Sequence, residues 1–259
     1  MAGFDHLFDA EHDAAVVTGA GNGIGRAIAL ALVAQGVRTV FADVNEKTLA
    51  DAVKSAADPA LAFAWTGDLA RKSECDRLLA DAGKRLGLVT LLVHSASPPR
   101  HERDHLMAVT DDTWEQMRSV NLDAGFRLGR EISKALIAAK SPGSLLYLTS
   151  LHAETPRNLP HYSTSKAAMA MLVKELAKGL GRHSIRVNAL IPGAIAAGGF
   201  VADPALARHI PLGRLGRAED LAPMALAVLS DRISGYITGA SIVIDGGLAL
   251  TNWFEAPEF

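Results

Sequence analysis

The stretch Thr18-Gly19-Ala20-Gly21-Asn22-Gly23-Ile24-Gly25 follows the apolar, β-branched run Ala14–Thr18 and precedes a stretch of helical period. In such a turn Gly19 allows a sharp bend, Gly23 lets the backbone approach a pyrophosphate, and Gly25 lets the helix pack closely on the strand. The helix N-terminus then presents free N–H groups and a positive dipole end to phosphates. This strand–turn–helix context predicts a dinucleotide site.

The rest of the chain repeats the order of strand and helix, which predicts a parallel sheet covered on both faces. The predicted strands are Ala14–Thr18, Arg38–Ala42, Leu61–Thr66, Val89–His94, Ser144–Thr149, Ile185–Leu190 and Ser241–Asp245, and the predicted helices are Ile24–Gln35, Glu46–Ala57, Ser73–Leu86, Thr113–Ala139, Tyr162–Leu180 and Ala218–Leu229. We expect a doubly wound α/β fold of Rossmann type, with about seven parallel strands and a ligand crevice at their carboxyl ends. A TIM barrel would need eight such units.

Composition and charge narrow the classes of partner. The 259 residues are 49% hydrophobic and 21% charged, and 26 Lys and Arg against 28 Asp and Glu give a net charge of −2. This balance gives no electrostatic reason to expect nucleic acid or an anionic membrane as a partner. No apolar stretch approaches the ~20 residues of a membrane span, and the acidic N-terminus does not resemble a secretory signal. Cys75 is the single cysteine, so no internal disulfide and no cysteine zinc site are expected, which favours the cytoplasm.

No repeat or linker divides the chain. We expect one domain over residues 13–250, preceded by a short leader (1–12) and followed by an aromatic tail (251–259). The tail carries Trp253 and Phe254, and aromatics of this kind are rarely left exposed without a packing partner. We therefore expect the tail to pack against a neighbouring subunit.

A carboxylate ends the second predicted strand. Asp43 lies 18 residues beyond Gly25, near the spacing of about 20 residues at which a carboxylate binds the adenosine ribose hydroxyls. Its charge would repel a 2′-phosphate, and Arg38 and Lys47 lie too far along the chain to be obvious clamps for one. The pattern favours NAD over NADP, and a helix-capping role for Asp43 is the alternative.

Tyr162 and Lys166 lie at the start of a predicted helix in the run YSTSK, and their i, i+4 spacing places both on one face. A free tyrosine has a pKa of about 10, too high for an efficient base near neutrality, and a neighbouring ammonium favours the phenolate. Such a pair can remove a proton from an alcohol, or donate one to a carbonyl, while hydride moves to or from nicotinamide.

At this point the sequence resembles the short-chain dehydrogenase/reductase family over nearly its whole length. The motifs that carry the resemblance are TGAGNGIG (18–25), Asp43, Asp68-Leu69, Asn121 in VNLDAGF, Ser150 in YLTSL, YSTSK (162–166), RVNALIPGAI (186–195), PLGRLG (211–216) and DGG (245–247). As a set in this order they are specific to that family.

The resemblance implies the roles of the site residues. Tyr162 would be the acid/base, Lys166 would bind the nicotinamide ribose and assist Tyr162, Ser150 would hydrogen-bond the reacting oxygen, and Asn121 would hold a water in a proton relay. The implied cofactor contacts are Asp68 and Leu69 on adenine, Pro192-Gly193 and Ile195 beside nicotinamide, and Ala96, which the chain shares with the family's usual motif.

The chain departs from the family's pattern at three places. His94-Ser95-Ala96-Ser97 stands where the family usually has Asn-Asn-Ala-Gly, and we expect a hydrogen-bonded structural role for His94 rather than a catalytic one. The usual spacing to the tyrosine would select Thr149, whereas strand alternation favours Ser150. The segment Ala196-Ala197-Gly198-Gly199 lacks the usual threonine that holds the carboxamide, so that contact stays unassigned.

The sequence therefore predicts an NAD-dependent oxidoreductase that acts on a secondary alcohol or ketone. His152 and Glu154 follow Ser150 and are the best candidates for substrate contacts, and the short, aromatic-poor segment before PLGRLG favours a small polar substrate such as a sugar, polyol or hydroxy acid. The alternatives are a 3-oxoacyl-type or other carbonyl reductase and a non-catalytic NAD-binding sensor or scaffold. The family resemblance also implies that the helices at 113–139 and 162–180 pair across a two-fold axis and form a homo-oligomer, dimer or tetramer. These helices carry apolar residues that look exposed, and core packing explains some of them: Met169, Met171, Leu172 and Leu176.

Overall fold

The computed structural model describes residues 6–101, 103–197 and 204–250, and these form one parallel sheet flanked by helices. The strands are β1 (Ala14–Thr18), β2 (Arg38–Asp43), β3 (Ala62–Thr66), β4 (Leu91–His94), β5 (Gly143–Leu148), β6 (Ile185–Pro192) and β7 (Ser241–Ile244), in the order β3-β2-β1-β4-β5-β6-β7. Every neighbouring pair is parallel, so the predicted doubly wound sheet is confirmed. The strand order reverses between β1 and β4, where α/β sheets of this kind bind their ligands.

The helices are α1 (Gly23–Ala34), α2 (Glu46–Lys54), α3 (Lys72–Leu86), α4 (Asp111–Arg118), α5 (Gly125–Ala139), α6 (Pro160–Leu180), α7 (Ala222–Leu229) and α8 (Asp231–Ser234). The single helix predicted over residues 113–139 begins earlier and is interrupted by a π-helical segment, Ser119–Ala124. The helix predicted from Ala218 begins instead as a short 3-10 turn. The α-helix proper starts at Ala222, where Pro223 is tolerated because the N–H groups of a first turn have no partner within the helix.

The core has two layers because successive strand residues point to opposite faces of the sheet. Val16 belongs to the layer that α3, α5 and α6 cover, and Val17 belongs to the layer under α1, α2 and α7. Met169 is fully buried in the first layer because its position on α6 faces the sheet, so core packing accounts for this residue. Met171 lies on the other side of the same helix and is 56% exposed.

Four predicted features lie wholly or partly outside the described residues: residues 1–5 of the leader, the Gly198-Gly199 pair, residues 200–203 of the segment before PLGRLG, and the aromatic tail over 251–259. Among the helices that the structure describes, none is long and apolar enough to cross a membrane.

Candidate active site

The glycine turn links β1 to α1 at the carboxyl edge of the sheet. Gly19 has a positive φ of 67°, and a Cβ there would lie 2.9 Å from the backbone of Ala96. A Cβ on Gly25 would clash with the carbonyl oxygen of Gly19, far inside van der Waals contact, so the helix could not approach the turn this closely with any other residue. The first backbone N–H groups of α1 lie beside this tight cradle, which is the arrangement that binds the phosphates of a dinucleotide.

Asp43 ends β2 beside this turn. One of its carboxylate oxygens accepts the N–H of Gly21 at 2.9 Å, and the other accepts the N–H of Asn45 at 2.9 Å. Each oxygen keeps lone-pair capacity for a further donor. Asp43, which is predicted to bind the ribose, therefore lies against the turn. Hydrogen bonds from two backbone N–H groups orient its carboxylate.

Asp68 and Leu69 follow β3 on the same edge. Asp68 accepts the N–H of Ala70 at 3.0 Å and is partly exposed. The side chain of Leu69 is buried in the first core layer. The two predicted adenine contacts thus differ, since one side chain reaches the surface and the other mainly supports the core.

Tyr162 and Lys166 lie on one face of α6, as their spacing predicts, and both are buried. The ammonium of Lys166 donates to the carbonyl of Leu148 at the end of β5, at 2.7 Å, and lies 5.7 Å from the centre of the Tyr162 ring. Burial, and after it the positive charge of Arg100, lower the pKa of Lys166 to about 7. A lysine that titrates near neutrality can pass a proton as well as carry charge.

Two further side chains surround the Tyr162 ring. The guanidinium of Arg100, from the loop after β4, lies 4.6 Å above the ring centre, and the ring of His152 meets it edge-on at 6.1 Å. Of the two predicted substrate contacts, His152 therefore lies beside the tyrosine, whereas Glu154 is exposed at the end of the short 3-10 turn Leu151–Ala153.

Asn121 is fully buried in the π-helical segment. Its amide nitrogen donates to the hydroxyl of Ser165 at 2.9 Å and contacts the sulfur of Met117 at 3.2 Å. Ser165 in turn donates to the carbonyl of Tyr162 at 2.7 Å. Among the described residues the amide oxygen of Asn121 has no hydrogen-bond partner, and a buried oxygen of this kind is commonly satisfied by an ordered water.

The two candidate hydroxyls after β5 are used differently. Thr149 donates its hydroxyl to the carbonyl of Leu190 at 3.1 Å, inside the sheet. The oxygen of Ser150 accepts the N–H of His152 at 3.2 Å, which leaves the Ser150 hydroxyl hydrogen available to a ligand. This geometry favours Ser150 as the hydroxyl that meets the reacting oxygen.

The segment after β6 carries the predicted nicotinamide contacts. The N–H of Gly193 donates to Ile244 at 3.0 Å, and a Cβ on Gly193 would lie 2.6 Å from the backbone of Asp245, so β6 and β7 are tightly joined here. Ile195 forms an isolated bridge with Gly216 of the PLGRLG motif. The segment that contains Pro192, Gly193 and Ile195 is therefore held by backbone contacts to β7 and to the PLGRLG motif.

His94, at the end of β4, is fully buried and hydrogen-bonded at both ring nitrogens. Burial, and after it the positive charge of Lys166, lower the pKa of His94 to about 4. In the part of the chain that the structure describes, no group of three or more His, Cys, Asp or Glu side chains is placed to hold a metal ion.

A family model described as enoyl-(acyl carrier protein) reductase matches residues 19–249. The match begins at the second residue of the glycine turn and extends beyond β7, so it includes every motif named above except Thr18. The chain belongs to the short-chain dehydrogenase/reductase family. That membership makes it an oxidoreductase of CH–OH groups whose family binds a nicotinamide cofactor.

Individual members of this family resemble the chain over most of their length. A mouse (3R)-3-hydroxyacyl-CoA dehydrogenase is 31% identical over 248 residues, covering 90% of this chain and 95% of that protein. A probable galactose dehydrogenase of Rhizobium meliloti is 35% identical over 243 residues, covering 90% and 93%. The crystal structure of a 3-ketoacyl-(acyl-carrier-protein) reductase from Brucella melitensis, complexed with NADH, matches with a TM-score of 0.86 and 27% identity over 93% of this chain and all of that one.

Three features of the site escaped sequence reasoning. Ser165 lies one helical turn after Tyr162, and its i, i+3 spacing was the signal that could have revealed it. The position of Arg100 over the tyrosine depends on the path of a loop, which no periodicity describes. The bridge that His94 makes to residues 120–121 depends on contacts between segments distant in sequence.

Proposed function

We propose that this short-chain dehydrogenase/reductase transfers hydride between NAD and a small polar secondary alcohol or ketone, with Tyr162 as acid/base. The observation that carries the proposal is the joint placement of buried Tyr162 and Lys166 on α6, next to the end of β5. A protein that had lost its activity would have no chemical need for this set of buried polar groups. The site therefore favours an enzyme over a non-catalytic sensor or scaffold.

Tyr162, Lys166 and Asn121 form the proton path. Tyr162 removes the hydroxyl proton of the alcohol, or donates it to the carbonyl in the reverse direction, while the hydroxyl of Ser150 hydrogen-bonds the same oxygen. Lys166 supports the phenolate and passes the proton on. The unpartnered amide oxygen of Asn121 supports a water that continues the path to solvent.

The negative charge of Asp43 favours NAD over NADP as the cofactor. The cofactor, when bound, supplies the acceptor or donor of the hydride. The residues that would hold it are the glycine turn over 18–25, Asp43 at the ribose, Asp68 and Leu69 at adenine, Ala96, and Pro192, Gly193 and Ile195 beside the nicotinamide. The carboxylate of Asp43 would repel a 2′-phosphate and can accept hydrogen bonds from the hydroxyls of an unphosphorylated ribose.

The surroundings of Tyr162 favour a polar substrate. Arg100 and His152 lie against the tyrosine ring and give this side of the site a charged and a polar group rather than an apolar wall. The similarity to a probable galactose dehydrogenase supports a sugar or polyol, and the similarity to a hydroxyacyl-CoA dehydrogenase supports a 3-oxoacyl or hydroxyacyl substrate as the second candidate.

The test is an NADH-absorbance assay of sugars, polyols, hydroxy acids and 3-hydroxyacyl thioesters, run with NAD and with NADP. We expect turnover with NAD on a member of the first three classes and much weaker turnover with NADP. Preferred turnover of the thioesters would replace the substrate proposal with the second candidate. Tighter binding of NADP than of NAD would contradict the role of Asp43.

A further inference from the structure

The ring of His94 bridges the nucleotide turn to the segment that carries Asn121. The hydroxyl oxygen of Thr18 accepts the N–H groups of Ser95 and Ala96, both at 3.1 Å. With both lone pairs of Thr18 used, its O–H is left to donate to Nδ1 of His94 at 3.0 Å. Nδ1 is therefore the acceptor nitrogen of the ring.

The acceptor role of Nδ1 places the ring proton on Nε2. Nε2–H then donates to the backbone carbonyls of Val120 and Asn121, at 3.1 and 3.0 Å. These carbonyls belong to the π-helical segment, where the backbone leaves the regular α-helical ladder. A single neutral tautomer of His94 thus satisfies both sides of the contact.

Residues of α5 and β5 pack closely against the imidazole of His94. A Cβ on Gly125 would lie 2.9 Å from Cδ2 of His94, so the glycine at the start of α5 makes room for the imidazole. Tyr147, the neighbour of His94 on β5, meets it edge-on at 5.9 Å and donates to the carbonyl of Gly125 at 2.9 Å. The ring is held on several sides, and a smaller side chain would leave the π-helical segment without its donor.

The bridge continues to the catalytic helix. The side chain of Asn121 donates to Ser165, and Ser165 donates to the carbonyl of Tyr162. A contiguous set of hydrogen bonds therefore runs from Thr18 in the nucleotide turn, through His94 and Asn121, to Tyr162.

We propose that His94 is a positioning residue: through Nε2–H it fixes the backbone of Asn121, and through Nδ1 it ties that backbone to the nucleotide turn. This rests on the proposed function in so far as Asn121 serves the proton path. Small misplacements of catalytic groups by substitutions outside the reacting centre cost up to about 100-fold in rate.

Two substitutions of His94 distinguish the contact made by Nε2 from the contact made by Nδ1. In His94→Gln the terminal amide reaches about as far as Nε2 and keeps a donor for the carbonyls of Val120 and Asn121. In His94→Asn the shorter amide reaches about as far as Nδ1 and cannot span to the π-helical segment. We expect kcat to fall roughly 10- to 100-fold in His94→Asn with little change in KM for the alcohol, and to stay within about 3-fold of wild type in His94→Gln.

Hydrogen exchange over residues 117–125 gives a readout that does not depend on turnover. We expect faster exchange there in His94→Asn than in wild type or His94→Gln. Wild-type kcat and wild-type exchange in His94→Asn would overturn the proposal, and so would equal losses in both variants. If His94→Asn does not fold, Gly125→Ala displaces the ring from the other side: the same loss of kcat supports the proposal and an unchanged kcat overturns it.

The exchange experiment also separates this inference from the proposed function. If wild type oxidises no alcohol in the panel, the proposed function fails. The exchange rates at residues 117–125 in the two His94 variants still decide whether the histidine holds that segment.

Discussion

Asp43 is the residue whose charge is expected to set the cofactor preference. Asp43→Asn removes the negative charge and keeps an acceptor for one of the two backbone N–H groups, of Gly21 and Asn45, that the carboxylate accepts. A hydrogen bond to a charged group contributes about 1.5–3 kcal/mol, so we expect the ratio of kcat/KM for NAD to that for NADP to fall roughly 10-fold or more. Asp51→Asn removes the same charge from the exposed side of α2 and serves as the control. An unchanged ratio in Asp43→Asn would show that the carboxylate does not discriminate.

His94 is expected to make stability depend on pH in an acidic window. Its pKa is lowered from the usual 6.5 to about 4, by burial first and by the charge of Lys166 second. Between these values the unfolded chain binds a proton that the folded chain does not. The stabilisation from this group is therefore present above pH 6.5 and is lost as the pH falls through 4, by about 3 kcal/mol in total.

The measurement is the free energy of unfolding of wild type and His94→Gln between pH 4 and 7. We expect the decline on acidification to be shallower in the variant, since the other titrating groups are the same in both proteins. Parallel curves would mean that His94 is already protonated in the folded state or is not buried as described.

Helices α1 and α3 contain glycines in opposite surroundings, one tightly packed and one exposed. Gly25→Ala would put a Cβ against the carbonyl of Gly19 and force α1 away from the turn, so we expect loss of measurable NADH binding and a lower Tm. Gly83→Ala, on the exposed face of α3, meets nothing within 4 Å. Alanine there should stabilise the helix by about 0.5–1 kcal/mol and leave NADH binding unchanged. Fluorescence titration with NADH and thermal unfolding test both, and intact binding in Gly25→Ala would contradict the close packing.

Elements were predictable from the sequence where local pattern decides them, and not where distant contacts do. The run Ala14–Thr18 is buried on both faces and reads as a parallel strand without further information. The π-helical segment Ser119–Ala124 was predicted as ordinary helix, because one extra residue in a turn barely changes the apolar period. The bridge from His94 to that segment spans 26 residues or more in sequence, so no local pattern encodes it.

At the scale of the whole molecule, the family resemblance leads us to expect a dimer or tetramer. Met171 on α6 is 56% exposed, and large apolar side chains on a helix face favour a self-complementary interface. Light scattering should give two or four times the chain mass of 27.3 kDa. Met171→Glu should lower that mass, while Met107→Glu, on an exposed turn outside the helices, should not. A monomeric wild type at micromolar concentration would contradict the expectation.

The central claim is that Tyr162 exchanges the proton while hydride moves between the substrate and NAD. Single-turnover formation of NADH, with NAD and the best alcohol of the panel, tests it most directly in wild type and Tyr162→Phe. General acid/base catalysis contributes about 10²- to 10⁴-fold to a rate, so we predict that the single-turnover rate of the variant is lower by that factor. We expect the variant to bind NADH as wild type does. Equal single-turnover rates in the two proteins would contradict the account.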